Sequence, residues 1–206
     1  MDPSYIIRDE AALQALYGGG NAASMAKEID HIHRHYRAFI EASSFVILAS
    51  VGPEGLDASP RGDEAGFVLV QDARTLLIPD RRGNNRVDTL HNLVADPQIG
   101  LLFLIPGVGE SLRVNGTATI SVEPALLARF AVGDKPARSV IVVAVETVYY
   151  QCPRAAVRAD LWNPDKFVAR AALPSSGTIL ADLSDQQLGG ADWDRTRDET
   201  VRATLY

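Results

Sequence analysis

The apolar positions of this chain change their period near residue 43. Ala11 to Tyr17 is a short helix-period stretch closed by Gly18-Gly19-Gly20, a run that no helix crosses cheaply. From Asn21 to Ala42 the residues Met25, Ile29, Ile32, Tyr36, Phe39 and Ile40 recur at three- and four-residue spacings, which predicts a second helix with one buried stripe. Beyond Ser43 the pattern becomes short β-branched and apolar runs bounded by Gly, Pro and Asp. Strands are expected over 45–50, 56–61 (interrupted by Pro60), 67–70, 75–78, 99–105, 111–122 and 140–150. Short helices are expected over 85–95, 124–131 and 152–158. Within 111–122, Leu112, Val114, Gly116, Ala118 and Ile120 alternate with Arg113, Asn115, Thr117 and Thr119, so one side of that strand is wet.

About six strands at short spacing, with small helices between them, predict a mainly β, α+β fold. The expected architecture is a closed or nearly closed barrel rather than a parallel sheet. The chain then divides into an N-terminal helical extension (1–42), the barrel (43–173) and a polar, weakly patterned tail (174–206). That tail is expected to wrap the barrel or reach a neighbouring subunit.

Composition narrows the function classes. Of 206 residues, 47% are hydrophobic and 22% charged, the proportions of a globular chain. Twenty basic against twenty-six acidic side chains leave a net charge of −6. That balance speaks against a broad nucleic-acid or anionic-membrane surface, which needs clustered Lys and Arg. No apolar run reaches the roughly 18 residues of a membrane span, and Met1-Asp2-Pro3-Ser4 is not a secretory signal. The single cysteine, Cys152, permits no internal disulfide and fits a reducing cytoplasm; it is expected as a buried small residue beside the last strand. The basic residues are 17 Arg to 3 Lys, which genome composition and anion recognition explain equally well.

The densest chemistry lies in Ile78-Pro79-Asp80-Arg81-Arg82-Gly83-Asn84-Asn85-Arg86, between a strand and a helix start. A helix N-terminus offers unpaired N–H groups and partial positive charge, so it favours an anion. Gly83 permits close backbone approach, and Asn84 or Asn85 is placed to cap the helix or to bond an anion's oxygen. Arg61 and Arg113, on other strands, are candidates to point the same way. A charged surface loop with a capped helix explains this segment equally well. It is neither a P-loop nor a GxGxxG turn.

The ordered series Ala58-Ser59-Pro60-Arg61-Gly62, Thr75-Leu76-Leu77-Ile78-Pro79-Asp80, Gly83-Asn84-Asn85-Arg86, Asp96-Pro97-Gln98-Ile99-Gly100-Leu101-Leu102-Phe103 and Leu112-Arg113-Val114-Asn115-Gly116 resembles the FMN-binding split barrels, the pyridoxamine 5′-phosphate oxidase-like flavoproteins. The resemblance implies a six-stranded split β-barrel and a homodimer with FMN at the subunit interface. Arg61 matches the strand arginine that contacts FMN, and Ile78, Pro79 and Asp80 match the strand end that faces the flavin ring. Asn85 and Arg86 match the phosphate-holding pair, with Arg81 and Asn84 beside them. Ser111 and Arg113 match groups contributed from the second subunit. The implied activity is an FMN-dependent oxidoreduction of a small molecule, with a reduced nicotinamide as one candidate donor. The same barrel also serves a non-catalytic reading in which it stores flavin or haem, His91 being the one histidine outside the N-terminal region. A deazaflavin in place of FMN is left open by the sequence.

The chain departs from pyridoxamine phosphate oxidases proper at Ser59-Pro60-Arg61-Gly62-Asp63, where they carry a more basic strand. It departs again at Arg195-Thr196-Arg197 and at the end Ala203-Thr204-Leu205-Tyr206. Its Cys152-Pro153-Arg154-Ala155 and Leu161-Trp162 resemble a bacterial branch of the superfamily instead. There Trp162 covers a flavin edge or plugs the barrel. His31, His33 and His35 are read as a solvated helix face rather than a metal site, since no carboxylate or thiol pattern completes one.

Overall fold

The computed structural model describes residues 1–206 and contains seven strands, one in each of the seven expected segments, so the sheet has one strand more than the six-stranded barrel that the resemblance implies. They are β1 (Phe45–Gly52), β2 (Gly55–Gly62), β3 (Leu69–Asp72), β4 (Thr75–Asp80), β5 (Gln98–Leu104), β6 (Ser111–Ser121) and β7 (Ser139–Gln151). All pairings are antiparallel, in the order β2-β1-β5-β6-β7-β4-β3. The strand expected over 67–70 is the short β3, which only hairpins onto β4.

The alternation read in 111–122 gives the core its shape. Leu112, Val114 and Ala118 of β6 are buried with Val46 and Leu48 of β1, Leu101 and Phe103 of β5, and Ile141 and Val143 of β7. β4 is buried on both sides: Leu76 and Ile78 face this core, while Leu77 packs with Phe130, Ala137 and Val140 in a second cluster. That double burial explains its continuous apolar run. Between Asn115 and Gly116 the β6–β7 register shifts by one residue. A Cβ on Gly116 would lie 2.0 Å from the carbonyl oxygen of Ala144, so the bulge requires glycine there.

Helices α1 (Glu10–Tyr17), α2 (Ala22–Ala26) and α3 (Arg34–Ala42) precede the sheet. The single helix expected over 21–42 is therefore two. Between them Ile29 bridges to Val148, and the Ile32 N–H donates to the Ala73 carbonyl, so strand-like pairing overrides the helical period. The three histidines consequently do not share one helix: His31 precedes α3, His33 caps it and His35 lies inside it. Only Tyr36 and Ile40 of α3 are buried.

The helix expected over 85–95 is α4 (Asp88–Ala95), shorter at its start because Asn85 and Val87 adopt positive φ of 61° and 49°. It is followed by α5 (Pro124–Ala128) and α6 (Arg154–Ala159). Cys152 is exposed, not buried, because it sits past the end of β7 where the apolar alternation has stopped. Trp162 neither plugs the core nor is fully covered; its Nε1–H donates to the Val108 carbonyl at 2.8 Å. The tail forms α7 (Ser176–Leu183) and α8 (Gly190–Ala203), which pack on each other. No helix is long and apolar enough to cross a membrane.

Candidate functional site

β2 and β4 lie near opposite ends of the strand order and exchange no backbone pairs, so the barrel is split between them. Side chains span the gap. Arg61 Nη1 on β2 donates to Asp80 Oδ1 on β4 at 2.6 Å, with 9% of the Asp80 side chain exposed. Just beyond these strands, Arg81 Nε donates to Asp63 Oδ2 at 3.0 Å. Arg81 also donates to the Phe130 carbonyl and lies under the Tyr206 ring. Burial opposes ionisation of Asp63, but donation from the Tyr206 hydroxyl, the Glu64 amide and Arg81 outweighs it and holds the carboxyl below its usual range. The same bond to Asp63 pushes the Tyr206 phenol up.

A cavity of about 400 Å³ opens at this split, against the start of α4. Arg61, Asp80, Arg81, Asn84, Asn85 and Arg86 all line it, so the structure brings together six of the residues singled out from sequence. Ile78 is fully buried in the core and Pro79 does not line the cavity; these two shape the strand end behind Asp80. Neither asparagine caps α4. Val87 occupies the N-cap without a side-chain bond, Asn84 Oδ1 accepts from the Arg86 N–H, and Asn85 Oδ1 accepts from Arg138. Thr89 at the start of α4 is buried and donates to Asp57 Oδ2 at 3.2 Å, which ties the helix to β2.

Ser111 and Arg113 are not part of this cavity. Ser111 donates to Gln151, and Arg113 donates to the Tyr149 hydroxyl at 3.0 Å with its guanidinium over that ring. Arg138 and Ser139, which do line the cavity, escaped the sequence reading. They sit where the loop enters β7, ahead of the apolar run from Val140, and carry no local pattern of their own.

Two buried side-chain polar atoms in the chain lack a hydrogen-bond partner, Arg61 Nε and Ser139 Oγ. Both belong to residues lining this cavity. A buried donor without a partner costs about 1–3 kcal/mol, so orphans of this kind mark a place where a ligand's acceptors fit. The lining includes four arginines against two aspartates and two hydrophobic side chains. It suits the phosphate and hydroxylated parts of a ligand, and it provides no apolar slot for a fused ring.

The chain is thus an antiparallel barrel, split, with arginines lining the split before a short helix. The chain matches the pyridoxamine 5′-phosphate oxidase family over residues 32–152, well over half its length, and it belongs to that family. Among solved structures, a histidine-to-alanine variant of HupZ from Group A Streptococcus is 18% identical. The match covers 58% of this chain and 99% of that one, with a TM-score of 0.50. General Stress Protein 26 from Bacillus anthracis is 15% identical over 55% of this chain and 88% of that one (TM-score 0.43). An FAD binding protein from Mycobacterium smegmatis is 13% identical over 60% and 97% (TM-score 0.42). At these identities the likeness is one of fold. A comparison with curated proteins finds no match.

Proposed function

We propose that this chain is an FMN-dependent oxidoreductase that works as a homodimer on a small molecule in the cytoplasm. The observation that carries the reading is the pair of orphaned donors, Arg61 Nε and Ser139 Oγ, in a cavity rimmed by arginines. FMN brings a phosphate near −2, which guanidinium groups and helix N–H groups recognise. Arg61, Arg86, Arg138 and the start of α4 would hold that end. Bound flavin would supply hydride or electron transfer, and the protein's part is to orient it and tune its electronics.

What the cavity lacks supports the dimer reading. Its polar lining offers nothing to cover an isoalloxazine ring, which needs a packed apolar slot. Leu13, Leu16, Tyr17 and Met25 of the N-terminal helices are exposed, as are Phe167 and Val168 after β7. Surfaces of this kind are suited to a second copy. Arg113, outside the cavity of its own chain, is the residue we assign to the partner's flavin. The lone exposed cysteine agrees with a reducing compartment.

The absorption spectrum of the purified chain, with and without added FMN, tests the proposal. Flavin bands that saturate at one FMN per chain, and bleach under a reduced nicotinamide, are the expected result. A colourless protein without saturable FMN binding removes the reading. Bound flavin that no donor bleaches would reassign the protein as a flavin store, and a Soret band as a haem protein.

A further inference from the structure

Each arginine of the cavity has a partner, but the partners differ in charge. Arg61 is held by Asp80, Arg86 by Asp88 at 2.9 Å and Arg81 by Asp63. A guanidinium facing a carboxylate at contact distance presents little net field to a third group. Arg138 stands apart. It forms no ion pair, and its Nη1 donates to the neutral Oδ1 of Asn85 at 2.8 Å.

The backbone fixes this arginine in place. Its N–H donates to the Asp80 carbonyl at 3.2 Å, which pins it to the end of β4 although the side chain is solvent-exposed. Asn85 holds its guanidinium from a left-handed conformation (φ 61°) that asparagine tolerates better than most residues. The next residue, Ser139, is 7% exposed and carries the orphaned hydroxyl. The uncompensated charge and a buried unpartnered hydroxyl are therefore on consecutive residues, both of which line the same cavity.

The geometry points to Arg138 as the principal charge partner of the ligand's phosphate monoester. Ser139 Oγ is the second donor, and Asn85 is the residue that positions the guanidinium. The family resemblance directs attention to Arg86 instead, but Arg86 is 77% exposed in its side chain and already bound to Asp88. The assignment rests on the flavin reading for the identity of the ligand, not for its phosphate.

Equilibrium binding of FMN and riboflavin to the full chain separates the roles. Arg138→Gln is expected to weaken FMN by about 10- to 100-fold, the worth of a lost charge-assisted contact, with riboflavin changed less than about twofold. Arg138→Lys should recover part of the loss, since it restores charge without the planar fork. Arg86→Gln should cost less than Arg138→Gln. Asn85→Gly, which keeps the backbone conformation, should cost FMN affinity and spare riboflavin. Equal weakening of both flavins by Arg138→Gln, or a larger loss from Arg86→Gln, overturns the assignment. If the wild-type chain binds neither flavin, titration with inorganic phosphate decides. Phosphate binding abolished by Arg138→Gln keeps this inference and removes the flavin reading, whereas phosphate binding that is absent or indifferent to Arg138 overturns the inference as well.

Discussion

Replacing Asp80 with asparagine should move stability and ligand affinity in opposite directions. Asp80 is 6% exposed, and its carboxylate is the acceptor for Arg61 across the split. Removing one partner of a buried ion pair costs about 3–5 kcal/mol, because the other charge is left uncompensated. Arg61 keeps 22% of its side chain in contact with solvent, which places the loss at or below the bottom of that range, about 2–3 kcal/mol. For a chain of this size that corresponds to a melting temperature lower by about 5–10 °C. Urea unfolding followed by the fluorescence of Trp162 and Trp193 gives the equilibrium value directly. The same substitution frees the Arg61 guanidinium from its counter-charge, so a phosphate-bearing ligand should bind several-fold tighter than to the wild type. Asp80→Asn with an unchanged unfolding midpoint and unchanged phosphate affinity would refute the view that this pair both closes the split and masks a cation.

Two further outcomes follow from the structure. Gly116→Ala places a methyl group against the backbone carbonyl of Ala144 with no flexible neighbour to yield; it should destabilise by about 3 kcal/mol, visible in the same urea titration, and a neutral result would mean the bulge is absent. The docking of Tyr206 on Asp63 should depend on pH at both extremes. The Asp63 pKa is depressed in the fold, so its contribution is present above the ordinary carboxylate range and is lost as pH falls through the depressed value. The Tyr206 pKa is raised, so its contribution is present below its ordinary value of 10.0 and is lost as pH rises through the elevated one. Limited proteolysis should find α8 protected at neutral pH and cut faster at both ends, with Tyr206→Phe abolishing the alkaline limb.

Much of the architecture was legible because the core strands alternate cleanly. Leu112, Val114 and Ala118 could face only one way, and β4 announced its burial on both sides by an unbroken apolar run. The segment between α2 and α3 was misread because Ile29 and Ile32 kept a helical spacing while their backbones bonded to Val148 and Ala73. Pairing with residues more than forty positions away leaves no local trace. The loop at 80–86 was recognisable from its arginines and asparagines, yet their roles were not. Whether Asn85 caps a helix or holds an arginine depends on Arg138, more than fifty residues further on. Ser139 was invisible for another reason: a serine at a strand start is unremarkable until its hydroxyl proves to be buried and unpartnered.

Pro60 reads at first as an interruption of β2, yet it occupies a regular position opposite Ile47. It is tolerated because β2 has only one neighbour in the sheet. With no amide hydrogen at that point on its outer edge, β2 is hindered from zipping onto β4 as the other strands do. The slit is thereby kept from healing into a continuous wall, and what bridges it must be side chains and whatever molecule they hold.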